Sequence, residues 1–209
     1  MQIKRMISLI KEKEELVSKV IEKEGQFVTA GSLKGYGINI YDIRLLLADG
    51  RLERVKRGLY KWTQFQQEYN DLVEVTGIVP EGVLCLFSAL SFHELTTYIP
   101  KEHNVAIQRT MRKPVLPSYP PIKIIFLSKE RFETGIIEVE IEGHKIKIYD
   151  LEKTICDAVI YRNKIGVDIV KEAMERYILK PQKNLQRLTD YAYKLRIFKM
   201  IKTYLEILI

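Results

Sequence analysis

Residues 27–62 read FVTAGSLKGYGINIYDIRLLLADGRLERVKRGLYKW. Thr29 suits the cap of a helix over residues 30–34, because its hydroxyl accepts a first-turn N–H that has no partner within the helix. Gly35 and Gly37 then permit the positive φ of a tight turn between helices. Asn39 is placed to cap a second helix, in which Ile40, Ile43, Leu46 and Leu47 recur at helical spacing and are expected to face the core. Tyr41, Arg44, Leu45 and Ala48 are left outside or at the flank. Asp49-Gly50 closes that helix. Leu52, Val55, Leu59 and Tyr60 supply the apolar side of two strands, with Lys56-Arg57-Gly58 at or near the tip. Two short helices followed at once by a basic hairpin are the parts of a winged helix-turn-helix.

Charge gives that pattern a partner. From Arg44 to Lys61, six basic residues (Arg44, Arg51, Arg54, Lys56, Arg57 and Lys61) stand against Asp49 and Glu53. A helix of this size fits the major groove of duplex DNA, and a cationic hairpin beside it grips the flanking phosphates. Asn39, Tyr41, Arg44, Leu45, Arg51, Arg54, Lys56, Arg57 and Lys61 are therefore the expected DNA-binding residues. Tyr41, Arg44 and Leu45 are assigned to base edges, and Arg51, Arg54, Lys56 and Arg57 to phosphates. A solvated basic edge on a small helical domain is the bland alternative, and the combination of caps, glycines and charge favours DNA.

The chain of 209 residues is 46% hydrophobic, enough to fill a core, and carries a net charge of +7. Its ends are the basic parts. Residues 1–62 hold 13 Lys/Arg against 8 Asp/Glu, and residues 180–209 hold 7 against 2, leaving a mildly acidic centre. That distribution suits contact with a polyanion through the ends. Cys85 and Cys156 sit among apolar neighbours and read as reduced, buried thiols of a cytoplasmic protein. The first 17 residues lack the sustained apolar run of a signal peptide, and no stretch approaches the ~20 apolar residues of a membrane span.

Outward from the opening stretch, Ile3, Ile7 and Ile10 begin a weakly helical arm, and Leu16, Val17, Val20 and Ile21 stripe a first full helix ended by Gly25. The pattern loosens after Trp62, which sets the expected boundary: residues 1–66 as the DNA-binding domain and 67–209 as a second, α+β domain. In the second, residues 72–76 are a short helix or strand. VLCLFSALSFHEL is a strand-like run entering a helix, with Ser88 as a candidate cap. Residues 103–109 and 122–128 are strands by their β-branched content, joined by a loop holding Pro114, Pro117, Pro120 and Pro121. Ile137, Val139, Ile141, Ile146 and Ile148 alternate with charges across Glu142-Gly143, the signature of a half-wet antiparallel hairpin. Asp150 then caps a helix striped by Leu151, Ile155, Ala158 and Val159. Residues 167–179 form another helix ahead of Pro181, and 185–209 a third with a basic outer surface of Arg187, Lys194, Arg196, Lys199 and Lys202. The expected fold class is α+β: a winged helix-turn-helix, a mixed α/β domain whose sheet contains an antiparallel hairpin, and a C-terminal helical cluster.

These residues resemble the AbiEi family of antitoxins from type IV toxin–antitoxin and phage-defence operons. Gly37-Ile38, Arg44-Leu45, Gly50-Arg51-Leu52 and Arg57-Gly58-Leu59-Tyr60 carry the likeness in the first half. Ser88-Ala89-Leu90, Leu95-Thr96, Pro100 and Asp150-Leu151-Glu152-Lys153-Thr154 with Asp157 carry it in the second, so that it covers most of residues 11–180. His93-Glu94 stands where many relatives have histidine-glycine, and Lys153 replaces the commoner arginine. The resemblance implies a repressor that binds operator repeats of its own operon. It also implies a C-terminal domain that opposes a nucleotidyltransferase-like toxin without requiring a stable complex. Ser88, Asp150, Lys153, Thr154 and Asp157 would be the motif of that domain.

Two other readings compete. A metal-dependent nuclease or nucleotide-processing enzyme delivered by the winged helix would use Glu138, Glu140, Glu142, Lys145 and Lys147. Charges alternating opposite isoleucines are, however, what a half-exposed hairpin shows. A protein-interaction module would use the basic ends to meet an acidic partner. Asp157, between apolar neighbours and one turn from Lys153, reads first as a structural anchor. His93, His103 and His144 lack metal-ligand spacing. Tyr191, Tyr193, Phe198 and Tyr204 read as core. No catalytic residue, metal or cofactor is assigned.

Overall fold

The structure, a computed structural model, describes residues 13–63 apart from 22, 24 and 26, and residues 70–208. The arm carrying Ile3, Ile7 and Ile10, and most of the expected linker after Trp62, lie outside the described residues. The protein is α+β, and it divides into two compact units, the first reaching Ile78 and including Val115–Ser118, the second taking Val79–Pro114 and Tyr119–Ile209.

In the first unit, residues 13–21 form helix α1, which buries Val17, Val20 and Ile21. Then follow β1 (Phe27–Thr29), α2 (Ala30–Gly35), α3 (Ile40–Ala48), β2 (Leu52–Lys56), β3 (Leu59–Trp62) and α4 (Asp71–Ile78). The strands make a three-stranded antiparallel sheet in the order β1-β3-β2. Strand β1 is a structural addition to the sequence reading, registered with β3 as Phe27↔Lys61 through Thr29↔Leu59. Val28, Leu33, Ile38, Ile43, Leu46, Leu52, Tyr60 and Trp62 close the core with α1. Ile40, expected inside, is half-exposed, while Asp42 is buried in its stead. Residues 72–76, open to helix or strand on sequence, lie within the helix α4, Asp71–Ile78. The unit carries this helix past the sequence boundary at 66/67.

The second unit holds a five-stranded sheet in the order β6-β5-β4-β8-β7. Its strands are β4 (Val83–Leu84), β5 (His103–Gln108), β6 (Ile122–Leu127), β7 (Ile136–Ile141) and β8 (His144–Tyr149). The hairpin β7–β8 turns at Glu142-Gly143, both with positive φ, in the register Ile137↔Ile148 and Val139↔Ile146. Helices α5 (Leu86–Phe92), α6 (Lys129–Glu133), α7 (Leu151–Ile160), α8 (Arg162–Ile165), α9 (Val167–Leu179), α10 (Leu185–Lys194) and α11 (Phe198–Leu208) complete it. Helix α7 is the hub, touching α5, α8, α9, α10 and α11, and its residues 152–159 are all buried.

Two helical expectations are corrected. Ser88 is not a cap: it lies inside α5, and its hydroxyl accepts from Asn104 N–H at 2.8 Å. The α5 terminus is served from β5 instead, where Asn104 Oδ1 accepts from Phe87 N–H at 3.2 Å. The single helix expected over 185–209 is two, because Arg196 takes φ 60° and Ile197 N–H bonds back to Ala192 carbonyl at 2.8 Å. That closing bond ends α10.

Candidate nucleic-acid interface

The helix pair of the first unit is set by short-range hydrogen bonds. Thr29 Oγ1 accepts from Ser32 N–H at 3.0 Å, so the first helix begins where the sequence places it. Its end is closed by Ile38 N–H on Leu33 carbonyl at 2.9 Å, with Gly37 at φ 82° between. Helix α3 opens with a reciprocal box: Asn39 Oδ1 accepts from Tyr41 and Asp42 N–H, and Asp42 Oδ2 accepts from Asn39 N–H at 2.9 Å. Lys13 of α1 stands 3.6 Å from the same Asp42 carboxylate, tying the α3 start to the supporting helix. Asn39 thus spends its carbonyl oxygen on the cap.

Outward from this frame, Tyr41 is 75% exposed and Arg44 is exposed beside it, one helical step on. Leu45 is half-buried at the flank. Helix α3 lies against β2, whose hairpin with β3 turns at Arg57-Gly58, and a register shift between Arg54 and Lys56 bends the first strand. Arg54 and Arg57 are exposed, and like Arg44 they have no acidic partner among the described residues.

The other three cations of this stretch are engaged within the unit. Arg51 pairs with Asp49 at 2.6 Å and with Glu14 of α1, and those carboxylates raise its guanidinium further above its ordinary value against the opposing effect of burial. Lys56 Nζ donates to the carbonyl of Ile78, the last residue of α4, at 2.7 Å, and burial lowers its pKa. Lys61 Nζ reaches both oxygens of Glu74 at 3.2 Å. Local sequence carries no sign of the last two contacts, since α4 lies more than ten residues away. The exposed cationic set on helix and hairpin is therefore Arg44, Arg54 and Arg57, with Arg51, Lys56 and Lys61 bracing the hairpin.

The second-unit motif residues form no open surface. Asp150 Oδ1 accepts from Lys153 N–H at 2.8 Å as the α7 cap, and its other oxygen accepts from Tyr191 Oη–H at 3.0 Å. Burial pushes the Asp150 carboxyl up, and burial together with the Asp150 charge pushes Tyr191 up to about 12. Thr154 donates to the Asp150 carbonyl at 2.7 Å. Lys153, wholly buried, donates to Asp157 Oδ2 at 2.5 Å and sits 4.0 Å from the centre of the Tyr149 ring. Arg131 approaches the far oxygen of Asp157 at 3.9 Å. Glu152, quoted within the motif but given no role on sequence, accepts from Tyr177 Oη–H at 3.1 Å and Asn184 N–H at 2.9 Å, with Arg187 at 3.6 Å. A lysine with no exposed surface meets no substrate in this conformation, so Asp150, Lys153, Thr154 and Asp157 fix how α7 sits in the unit.

On the hairpin, Glu138 faces Lys147 and Glu140 faces Lys145 across the strands, ordinary cross-strand charge pairing. Among the described residues no cluster of three His, Cys, Asp or Glu side chains is placed to hold a metal ion, and no helix is long and apolar enough to cross a membrane. Comparison with family models and with curated proteins found no match for this chain.

Proposed function

We propose that this protein is a cytoplasmic, sequence-specific DNA-binding repressor whose first unit acts as a winged helix-turn-helix. The observation carrying this is that Tyr41 and Arg44 on α3, and Arg54 and Arg57 on the adjoining hairpin, are exposed with no acidic partner among the described residues. A capped helix presenting an aromatic and a guanidinium suits base edges, and two unpaired arginines on a hairpin suit phosphates. Together with the AbiEi resemblance, this supports an antitoxin of a type IV, AbiE-like operon that represses its own promoter. The second unit then opposes a cognate nucleotidyltransferase-like toxin, with or without a stable complex.

The test is fluorescence anisotropy of the whole protein on duplex DNA from upstream of its own reading frame, beside a scrambled duplex. Selective binding, with selectivity reduced by Arg44→Ala, is the expected result. Equal affinity for both duplexes sinks the repressor reading. The antitoxin reading is tested separately, by co-expression with the product of the neighbouring gene: growth arrest that this protein does not relieve counts against it.

A further inference from the structure

Helices α10 and α11 meet at a corner formed by Leu195, Arg196 and Ile197. The left-handed φ of Arg196, 60°, turns the chain there and lays Tyr193 on Phe198, with ring centroids 4.1 Å apart and planes 13° from parallel. Both rings were expected in the core, yet Tyr193 is 60% exposed. A cavity of about 320 Å³ opens at this corner, lined by Tyr193, Arg196, Ile197, Phe198, Lys199 and Met200. Arg196 and Lys199 of this lining, and Lys194 next to Tyr193 in the chain, are exposed without an acidic partner among the described residues, whereas Lys202 is paired with Glu206 at 3.4 Å.

We propose that this corner is a binding site for single-stranded nucleic acid, in which an unpaired base stacks on Tyr193 and the adjoining phosphates meet Arg196 and Lys199. Each part of the corner answers one part of a nucleotide. The supported aromatic plane offers a π-face, the apolar floor of Ile197 and Met200 takes the base edge, and the cations surround the position of the backbone. Duplex DNA presents no free base face and would leave the ring unused. An acidic peptide would satisfy the cations but has no plane to match Tyr193. The site belongs to the second unit and stands without the repressor reading.

The experiment uses the full chain carrying Arg54→Ala and Arg57→Ala, so that the hairpin's phosphate grip does not contribute. Twelve-nucleotide oligo-U and oligo-dT, each with a central 2-aminopurine, are titrated in, with anisotropy reporting binding and fluorescence quenching reporting stacking. The two oligonucleotides distinguish RNA from DNA as the natural ligand. Tyr193→Ala should weaken binding by roughly tenfold and abolish quenching, while Tyr193→Phe keeps both. Lys199→Ala should lower the slope of log affinity against log salt by about 0.7. Unchanged binding and quenching in Tyr193→Ala overturns the proposal. So does Tyr193-dependent binding of a poly-glutamate peptide without binding of either oligonucleotide, which would make the corner an acidic-protein surface. Because Tyr193 is largely exposed, circular dichroism of the variants should match the parent.

Discussion

Arg54 and Arg57 differ from Arg51 in what surrounds them, and that difference sorts the effects of mutation. Under the proposed DNA-binding function, removing either exposed arginine should weaken binding to every duplex sequence and flatten the salt dependence by about 0.9 per lost phosphate contact on a log–log plot. Arg51→Ala instead removes ion pairs to Glu14 and Asp49. It should lower the urea midpoint and leave the salt slope nearly unchanged. A slope change equal to that of Arg57→Ala would put Arg51 on the DNA. Asp157→Ala belongs to another class: it strands a wholly buried ammonium on Lys153. Breaking such a pair costs about 3–5 kcal/mol, to be read from chemical denaturation, whereas Lys153→Met combined with Asp157→Leu should recover most of that loss.

Elements whose cause is local were legible in the sequence, and those whose cause is distant were not. Thr29, Asn39 and Asp150 were readable as caps because each bonds an N–H two or three residues on. The β7–β8 hairpin was readable from alternation across a two-residue turn. Strand β1 was not, because three residues become a strand only by pairing with β3 some thirty positions later. Nor was the engagement of Lys56 and Lys61 by α4 visible, so the sequence overcounted the cations left free on this surface. The break between α10 and α11 escaped because Arg196 gives no glycine signal for its left-handed turn. Gly135 shows the opposite case, a turn that needs glycine twice over: φ is 75°, and a β-carbon there would lie 2.4 Å from Lys153 Cβ. Gly135→Ala should therefore destabilise the protein by roughly 1–3 kcal/mol, measured by thermal or urea unfolding. A neutral result would mean that α7 shifts freely.

For the whole molecule, acidity reports on burial. His93 Nε2 lies 2.7 Å from the Tyr149 carbonyl, and burial holds its pKa below 6.5 despite that bond and the nearby Asp150 charge. The unfolded chain therefore binds a proton more readily than the folded one. Its contribution to stability is complete above about pH 6.5 and is lost as pH falls through the folded-state value. Urea midpoints should decline between pH 7.5 and 5.5, and His93→Gln should flatten that decline; an identical slope in the variant would remove His93 as its source. The enclosure of α7 has a further consequence for how the protein is made and broken. A ribosome has released α7 once residue 160 is made, but the helices that cover it, α9, α10 and α11, follow only over residues 167–208. A transcript cut short within this interval encodes a chain with a greasy open face, destined for proteolysis and not for partial service.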